Sequence, residues 1–209
     1  MEIKKKSGAA GKGEASRERI AKAALKRFAQ EGFYQASIQS IADACKISQS
    51  AVLYHFPTKE HLVEDVIKRI VVHNHEIVSA GQKIEDNAYE RLRKHFELNL
   101  SWAVDFVEEA QIIILLYYLA CVDARFSALY ETILGAARKR ISEYLWAGKR
   151  EKLFKDSLQV DAVAEILHDG LLGGVINTIT QKNKKSLMKS VQEKWQKLLA
   201  ETTGYEPTK

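Results

Sequence analysis

Several residue patterns in this chain are of a type and spacing that could do chemistry. Glu165-Ile-Leu-His168 sets a carboxylate and an imidazole three residues apart, the helical spacing that supplies half of a di-metal site in a bundle. Such a site needs a second Glu-x-x-His and two further glutamates. No second pair occurs, and His73 and His75 stand two apart, so a helix aims them in different directions. Cys45 and Cys121 have no metal-ligand spacing, and neither a Gly-rich phosphate loop nor a nucleophile elbow is found. No catalytic residue, metal or cofactor is therefore expected. A second chemistry is hydrogen bonding to DNA. The amide of Gln49 suits the edge of adenine, the hydroxyl of Ser50 tolerates either partner, and the methyl of Ala51 can touch a thymine methyl. Ser37, Tyr54, His55 and Lys59 carry donors suited to phosphate oxygens, and Gln39 and Lys46 complete the DNA-binding candidates. Packing against the first helix is the competing reading for Tyr54 and His55, and a solvated turn the competing reading for Lys46.

These donors need rigid elements behind them. Only Pro57 and Pro207 interrupt a chain rich in Ala, Leu, Glu and Lys, which reads as all-α. Residues 1–15, polar and glycine-rich with Lys4, Lys5 and Lys6 in a row, read as a disordered basic arm. A first helix is expected from a cap at Ser16 to Glu31, with Ile20, Ala24 and Phe28 on one face and Gly32 as a left-handed stop. A second runs from Ile38 to Cys45 with Ile38, Ile41 and Ala42 inward, and Ile47 plugs the turn. Ser48 caps a third, which turns Val52 and Phe56 inward and leaves Gln49, Ser50, Ala51, Tyr54 and His55 largely outward. Two short helices joined by a tight turn form a helix-turn-helix pattern, giving a DNA-binding domain over 16–58.

Thr58 caps a longer helix over 59–80, and further helices are expected near 87–106, 108–121, 125–153, 158–181 and 185–201, about nine in all, making 59–209 a second domain. The apolar run 112–122 is too short for a membrane span, which needs ~20 residues, and reads as a buried helix. In the helix from Val160, Leu167, Gly170, Leu171, Gly174 and Val175 form one stripe, while Ile166, Leu172 and Ile176 fill another face. Met188, Val191, Trp195 and Leu198 in the last helix follow the seam spacing of helices packed at shallow angles. Apolar residues on two faces, with glycines permitting close approach, assign these two helices to a subunit interface.

Charge is divided unevenly along the chain. Residues 1–60 hold 11 Lys and Arg against 6 Asp and Glu, and the remainder 21 of each, so the whole formal net charge of +5 lies in the N-terminal part. Such an excess attracts a polyanion to that part. With free thiols, no secretory signal and no membrane partner, a cytoplasmic location is expected.

The run Ser37-Ile-Gln-Ser-Ile-Ala-Asp-Ala-Cys-Lys-Ile-Ser48 and its continuation Gln49-Ser-Ala-Val-Leu-Tyr-His-Phe-Pro-Thr-Lys-Glu-His-Leu62 resemble the DNA-binding signature of the TetR (tetracycline repressor) family, and Glu31-Gly32-Phe33 extends the likeness. The sequence departs from that pattern at Lys46 and Ser50, where the family commonly has Gly, and at Leu53, where an aromatic is common. The resemblance implies a transcriptional regulator, usually a repressor, that binds a palindromic operator in double-stranded DNA as a homodimer. It also implies a small-molecule effector bound among the middle helices that shifts the fourth helix. Trp102, Phe106, Tyr117, Tyr118, Trp146 and His168 have the aromatic or amphipathic character of effector contacts, though each also reads as plain core. An activator or chromosome-organising DNA binder without an effector is the alternative, and a bundle metalloenzyme a distant one.

Overall fold

The computed structural model describes residues 6–206, with side chains from Lys12 onward. Among the described residues it is all-α, nine helices with no strand: α1 (Lys6–Glu31), α2 (Ile38–Cys45), α3 (Gln49–His55), α4 (Lys59–Ala80), α5 (Ala88–Asp105), α6 (Val107–Val122), α7 (Ala124–Arg150), α8 (Val160–Ile179) and α9 (Lys184–Thr203). The ends follow the local chemistry. Asn87 and Asp123 accept backbone N–H groups at the starts of α5 and α7, and Gly32 and Gly204 take left-handed conformations after α1 and α9.

The chain divides into two compact units. The first runs to Ile70 and also includes Gln111–Ile113; the second holds Val71–Ala110 and the chain from Ile114 on. Helix α4 contributes to both.

In the first unit, Ile20, Ala24 and Phe28 of α1 meet Ile41 and Ala42 of α2, Val52 and Phe56 at α3, and Leu62, Val63, Val66 and Ile67 of α4 in one buried core. Each large apolar side chain removed from water there contributes roughly 1.5–3 kcal/mol. Ile38 and Ile47 are half-buried, closing the edge of this core. The expected start of α1 at Ser16 is corrected. Its hydroxyl donates back to the carbonyl of Lys12 at 3.0 Å, as a residue inside a helix does, and the helix already runs from Lys6. Of the expected disordered arm, residues 6–15 are therefore helical, and residues 1–5 lie outside the described residues.

In the second unit α5 packs against α7, α8 and α9, and α8 against α7 and α9. The core holds Leu92, Phe96 and Leu100 of α5, Leu116 and Leu119 of α6, Ile141 and Leu145 of α7, and Ala164 and Leu167 of α8. Trp195 stacks on Phe96 with ring centroids 4.4 Å apart. Part of the expected subunit interface is covered by the chain itself. Leu167, Leu171, Val175 and Trp195 are buried within their own chain, and a β-carbon added at Gly170 would stand 2.9 Å from the Trp195 ring. At Gly174 it would stand 3.3 Å from Trp195 Nε1 and 3.7 Å from Val191. The glycines do permit close approach, but to an indole of the same subunit. Met188 and Val191 are half-buried. Apolar residues left outward on these two helices are Ile166, 71 % exposed, with Ile176 and Leu198. Helix α6 is also less covered than its apolar run implied, because Tyr118 and Val122 are exposed. No helix among the described residues is long and apolar enough to cross a membrane.

Candidate nucleic-acid interface

Helices α2 and α3 are held at both ends by side-chain chemistry. Ser37 accepts the N–H of Ser40 at 3.0 Å while the Ser40 hydroxyl accepts the N–H of Ser37 at 3.2 Å, a reciprocal cap on α2. Ser48 caps α3 through the N–H of Ala51 at 3.2 Å. The turn joining them passes through Lys46, which is left-handed at φ 54° and ψ 44°, a conformation that costs a non-glycine residue about 1 kcal/mol. Its N–H offsets part of this by closing on the carbonyls of Ala42 and Asp43. The Lys46 side chain is exposed.

Residues outside the expected site fix where α3 sits. Arg17 of α1 donates to the carbonyl of His55 at 3.2 Å and to Asp65 of α4 at 2.7 Å, and its guanidinium lies 4.6 Å from the centroid of the Phe56 ring. Asp65 also accepts from Arg69, which pairs with Glu14. Burial pushes the Asp65 carboxyl up, but the hydrogen bonds from Arg69 and Arg17 outweigh it and hold the group below the usual carboxylate range. Arg17 thus ties the end of α3 to two longer helices. Nothing in its local sequence marked it, since its partners lie 38 and 48 residues away.

With α3 so fixed, Gln49 and Ser50 are exposed at its first turn, and Tyr54, four residues after Ser50, is 85 % exposed. The Gln49 side chain makes no hydrogen bond among the described residues. The Ser50 hydroxyl is shared with Ser48 at 2.9 Å, Ala51 is half-buried, and the Tyr54 ring meets the half-buried His55 ring edge-on at 5.2 Å. Ser37 and Gln39 are exposed at the start of α2, Gln39 with its amide on Asp43 at 2.7 Å. The surface therefore gathers an amide, hydroxyls and a phenol on short capped helices.

The ammonium of Lys59, expected at a phosphate, donates to the carbonyls of Phe33 at 2.7 Å, Ala36 at 3.1 Å and Tyr34 at 3.4 Å, and lies 4.6 Å from the Phe33 ring centroid. Three acceptors use its three N–H groups. Lys59 clamps the loop that presents Ser37.

The expected effector contacts have different surroundings. Trp102 is buried and donates to Glu109 at 3.0 Å; His73 of α4 also meets Glu109, at 2.9 Å, and packs edge-on against Phe106 at 4.7 Å. Tyr117 meets Tyr130 edge-on at 5.0 Å, and burial pushes its phenol up to about 12. His168 lies 3.3 Å from Asp169; burial lowers its pKa, against the raising effect of that carboxylate. Tyr118 and Trp146 are exposed, the latter beneath Lys149. Glu165, three residues before His168, pairs with Arg138 at 3.6 Å, and no group of His, Cys, Asp and Glu among the described residues is placed to hold a metal.

Comparison with known proteins accords with this geometry. Residues 20–66, from the middle of α1 into α4, match the family described as bacterial regulatory proteins, tetR family. The probable acrEF/envCD operon repressor of Escherichia coli K12 is 23 % identical over 168 residues, covering 77 % of this chain and 74 % of that protein. YuxN, an HTH-type transcriptional regulator of Bacillus subtilis 168, is 50 % identical over 44 residues, 21 % of this chain and 15 % of its own. A transcriptional regulator from Saccharomonospora viridis, solved in complex with choline, superposes with a TM-score of 0.76 at 21 % identity, covering 86 % of this chain and 95 % of that one.

Proposed function

From its membership of the tetR family of bacterial regulatory proteins, which makes the chain a DNA-binding transcriptional regulator, we propose that it is a homodimeric repressor released from a palindromic operator by a small molecule. The observation that carries the reading is the exposed row Gln49, Ser50 and Tyr54 on a helix capped at one end by Ser48 and tied at the other by Arg17. A helix fits the major groove, where the Gln49 amide is matched to adenine and the hydroxyls of Ser37 and Tyr54 to phosphates on either side. The protein acts by binding, not by catalysis, and works in the cytoplasm.

One seven-residue helix reads few base pairs, so a second copy is needed for a longer site. The outward apolar residues Ile166, Ile176 and Leu198 support a two-fold interface on α8 and α9. Release requires an effector that prefers the DNA-incompetent state; reversing a 1:99 population to 99:1 takes ~5.5 kcal/mol of differential affinity. Helix α4 is the candidate transmitter. Its first half carries Lys59 and Asp65 in the first unit, and its second half is tied in the second unit by His73 on Glu109 and by Asn74 on Asn99 at 3.0 Å. That a regulator of this fold was solved with choline supports a small-molecule effector.

Selection of duplexes from a random pool tests the reading. Enrichment of an inverted repeat, with half-sites about one helical turn apart, is expected; enrichment of an asymmetric site contradicts the dimer, and enrichment of none contradicts DNA recognition.

A further inference from the structure

The second unit contains buried polar groups that neither packing nor DNA contact uses. His95 of α5 is only 5 % exposed, and its Nδ1 has no hydrogen-bond partner among the described residues. A buried polar atom left unpaired is costly, so a native fold that keeps one has a reason for it. The neighbouring Tyr144 ring, 5.7 Å away, does not supply the partner, because its hydroxyl is engaged with Gln82 at 2.8 and 3.1 Å.

The charged groups acting on His95 are cationic. Arg140, one helical turn before Tyr144 on α7, and His168 of α8 both disfavour a proton on His95, adding to burial. Arg140 is half-buried and makes neither an ion pair nor a hydrogen bond among the described residues. Arg138, one turn before Ile141, has a buried Nε without a partner; its terminal nitrogens reach Asp169 at 3.2 Å and Glu165 at 3.6 Å. Those acids are mostly in solvent, 63 % and 58 % exposed, whereas Arg138 is 29 % exposed. The carboxylates therefore lie on the outer side and the guanidinium on the inner.

The unmet capacity in this cluster is for donating hydrogen bonds. Arg140 can only donate, and the neutral imidazole of His95 has one N–H to offer. A cation would be repelled by the same groups. An anion would satisfy them, and one unpaired guanidinium matches the two oxygens of a single carboxylate better than a doubly charged, strongly hydrated phosphate. The half-buried ring of Tyr144 beside His95 offers apolar surface for the rest of such a molecule.

We propose that the effector is an organic acid, a carboxylate on an apolar body, held through Arg140 and His95. The assignment rests on the ligand-release reading above. It is tested with three probes of one shape and different charge, benzoate, benzamide and benzylamine, added to the full-length protein labelled with 15N-histidine. The His95 resonance is identified by its loss in His95→Gln. Benzoate is expected to shift that resonance and raise Tm at concentrations at least tenfold below those benzamide or benzylamine need. Arg140→Gln should abolish the tenfold preference and Arg140→Lys should keep part of it, both binding operator normally without a probe. If benzamide or benzylamine matches benzoate, or benzoate leaves the His95 resonance unmoved, the acid assignment is overturned. If benzoate binds with the expected preference yet never weakens operator binding, the acid site stands and the ligand-release reading fails.

Discussion

Replacing Lys59 by Met removes the ammonium and keeps the length of the side chain. Hydrogen bonds from a charged donor are worth ~1.5–3 kcal/mol each, and an ammonium over a ring ~0.5–2 kcal/mol. Here one ammonium serves three carbonyls, of which the Tyr34 contact is long and exposed, so the contributions overlap and do not add in full. A loss of about 2–4 kcal/mol in the unfolding transition of the first unit follows. A phosphate contact would behave differently. Its loss would leave stability alone and lower the slope of log affinity against log salt by ~0.9. Urea unfolding and operator binding across a salt series separate the two. Equal stability with a slope reduced by about one would refute the clamp and restore Lys59 to the DNA surface.

Tyr54→Ala should weaken operator binding at all salt concentrations without changing dimer mass, whereas Gln49→Ala should relax base preference at one position by ~1–3 kcal/mol, read by binding to operator variants. Among glycines, Gly135→Ala meets open space and should stabilise by up to ~1 kcal/mol, while Gly170→Ala drives a β-carbon into Trp195 and should cost ~1–3 kcal/mol in urea unfolding. Gly170→Ala as stable as Gly135→Ala would contradict the packing of α8 on α9. Burial, with Arg140 and His168, lowers His95 from 6.5 to about 3, so from pH 6.5 down towards 3 the unfolded chain binds a proton that the folded chain refuses. This contribution to stability is intact above pH 6.5 and is lost as pH falls, on the order of 1 kcal/mol per pH unit. Urea midpoints at pH 7 and pH 5 should differ less in His95→Leu.

The parts of the fold legible in the sequence are those set by neighbours along the chain. Ser48 announces its cap, Gly32 its left-handed stop, and the spacing of Ile20, Ala24 and Phe28 the buried face of α1, because each acts within a turn or two. What covers an apolar face is not local. The α8 stripe and its glycines signalled close packing correctly, but whether Trp195 or another subunit fills the space depends on how α9 returns. The carbonyl partners of Lys59 and Arg17, 23 to 38 residues away, were beyond local reading for the same reason: a cation on the sequence of a DNA-binding unit looks available for phosphate until they are in place. His95, between Lys94 and Phe96, gave no sign of its burial.

The account turns on α3 lying in the major groove, and a photo-crosslinker carried by cysteine at position 50, in Cys45→Ser/Cys121→Ser protein, probes this at the level of single bases. Crosslinks to major-groove edges are expected at two positions related by the operator's two-fold axis, and should disappear when Tyr54→Ala is added. Crosslinks to the sugar-phosphate backbone alone, or equal crosslinking to unrelated duplexes, would contradict it.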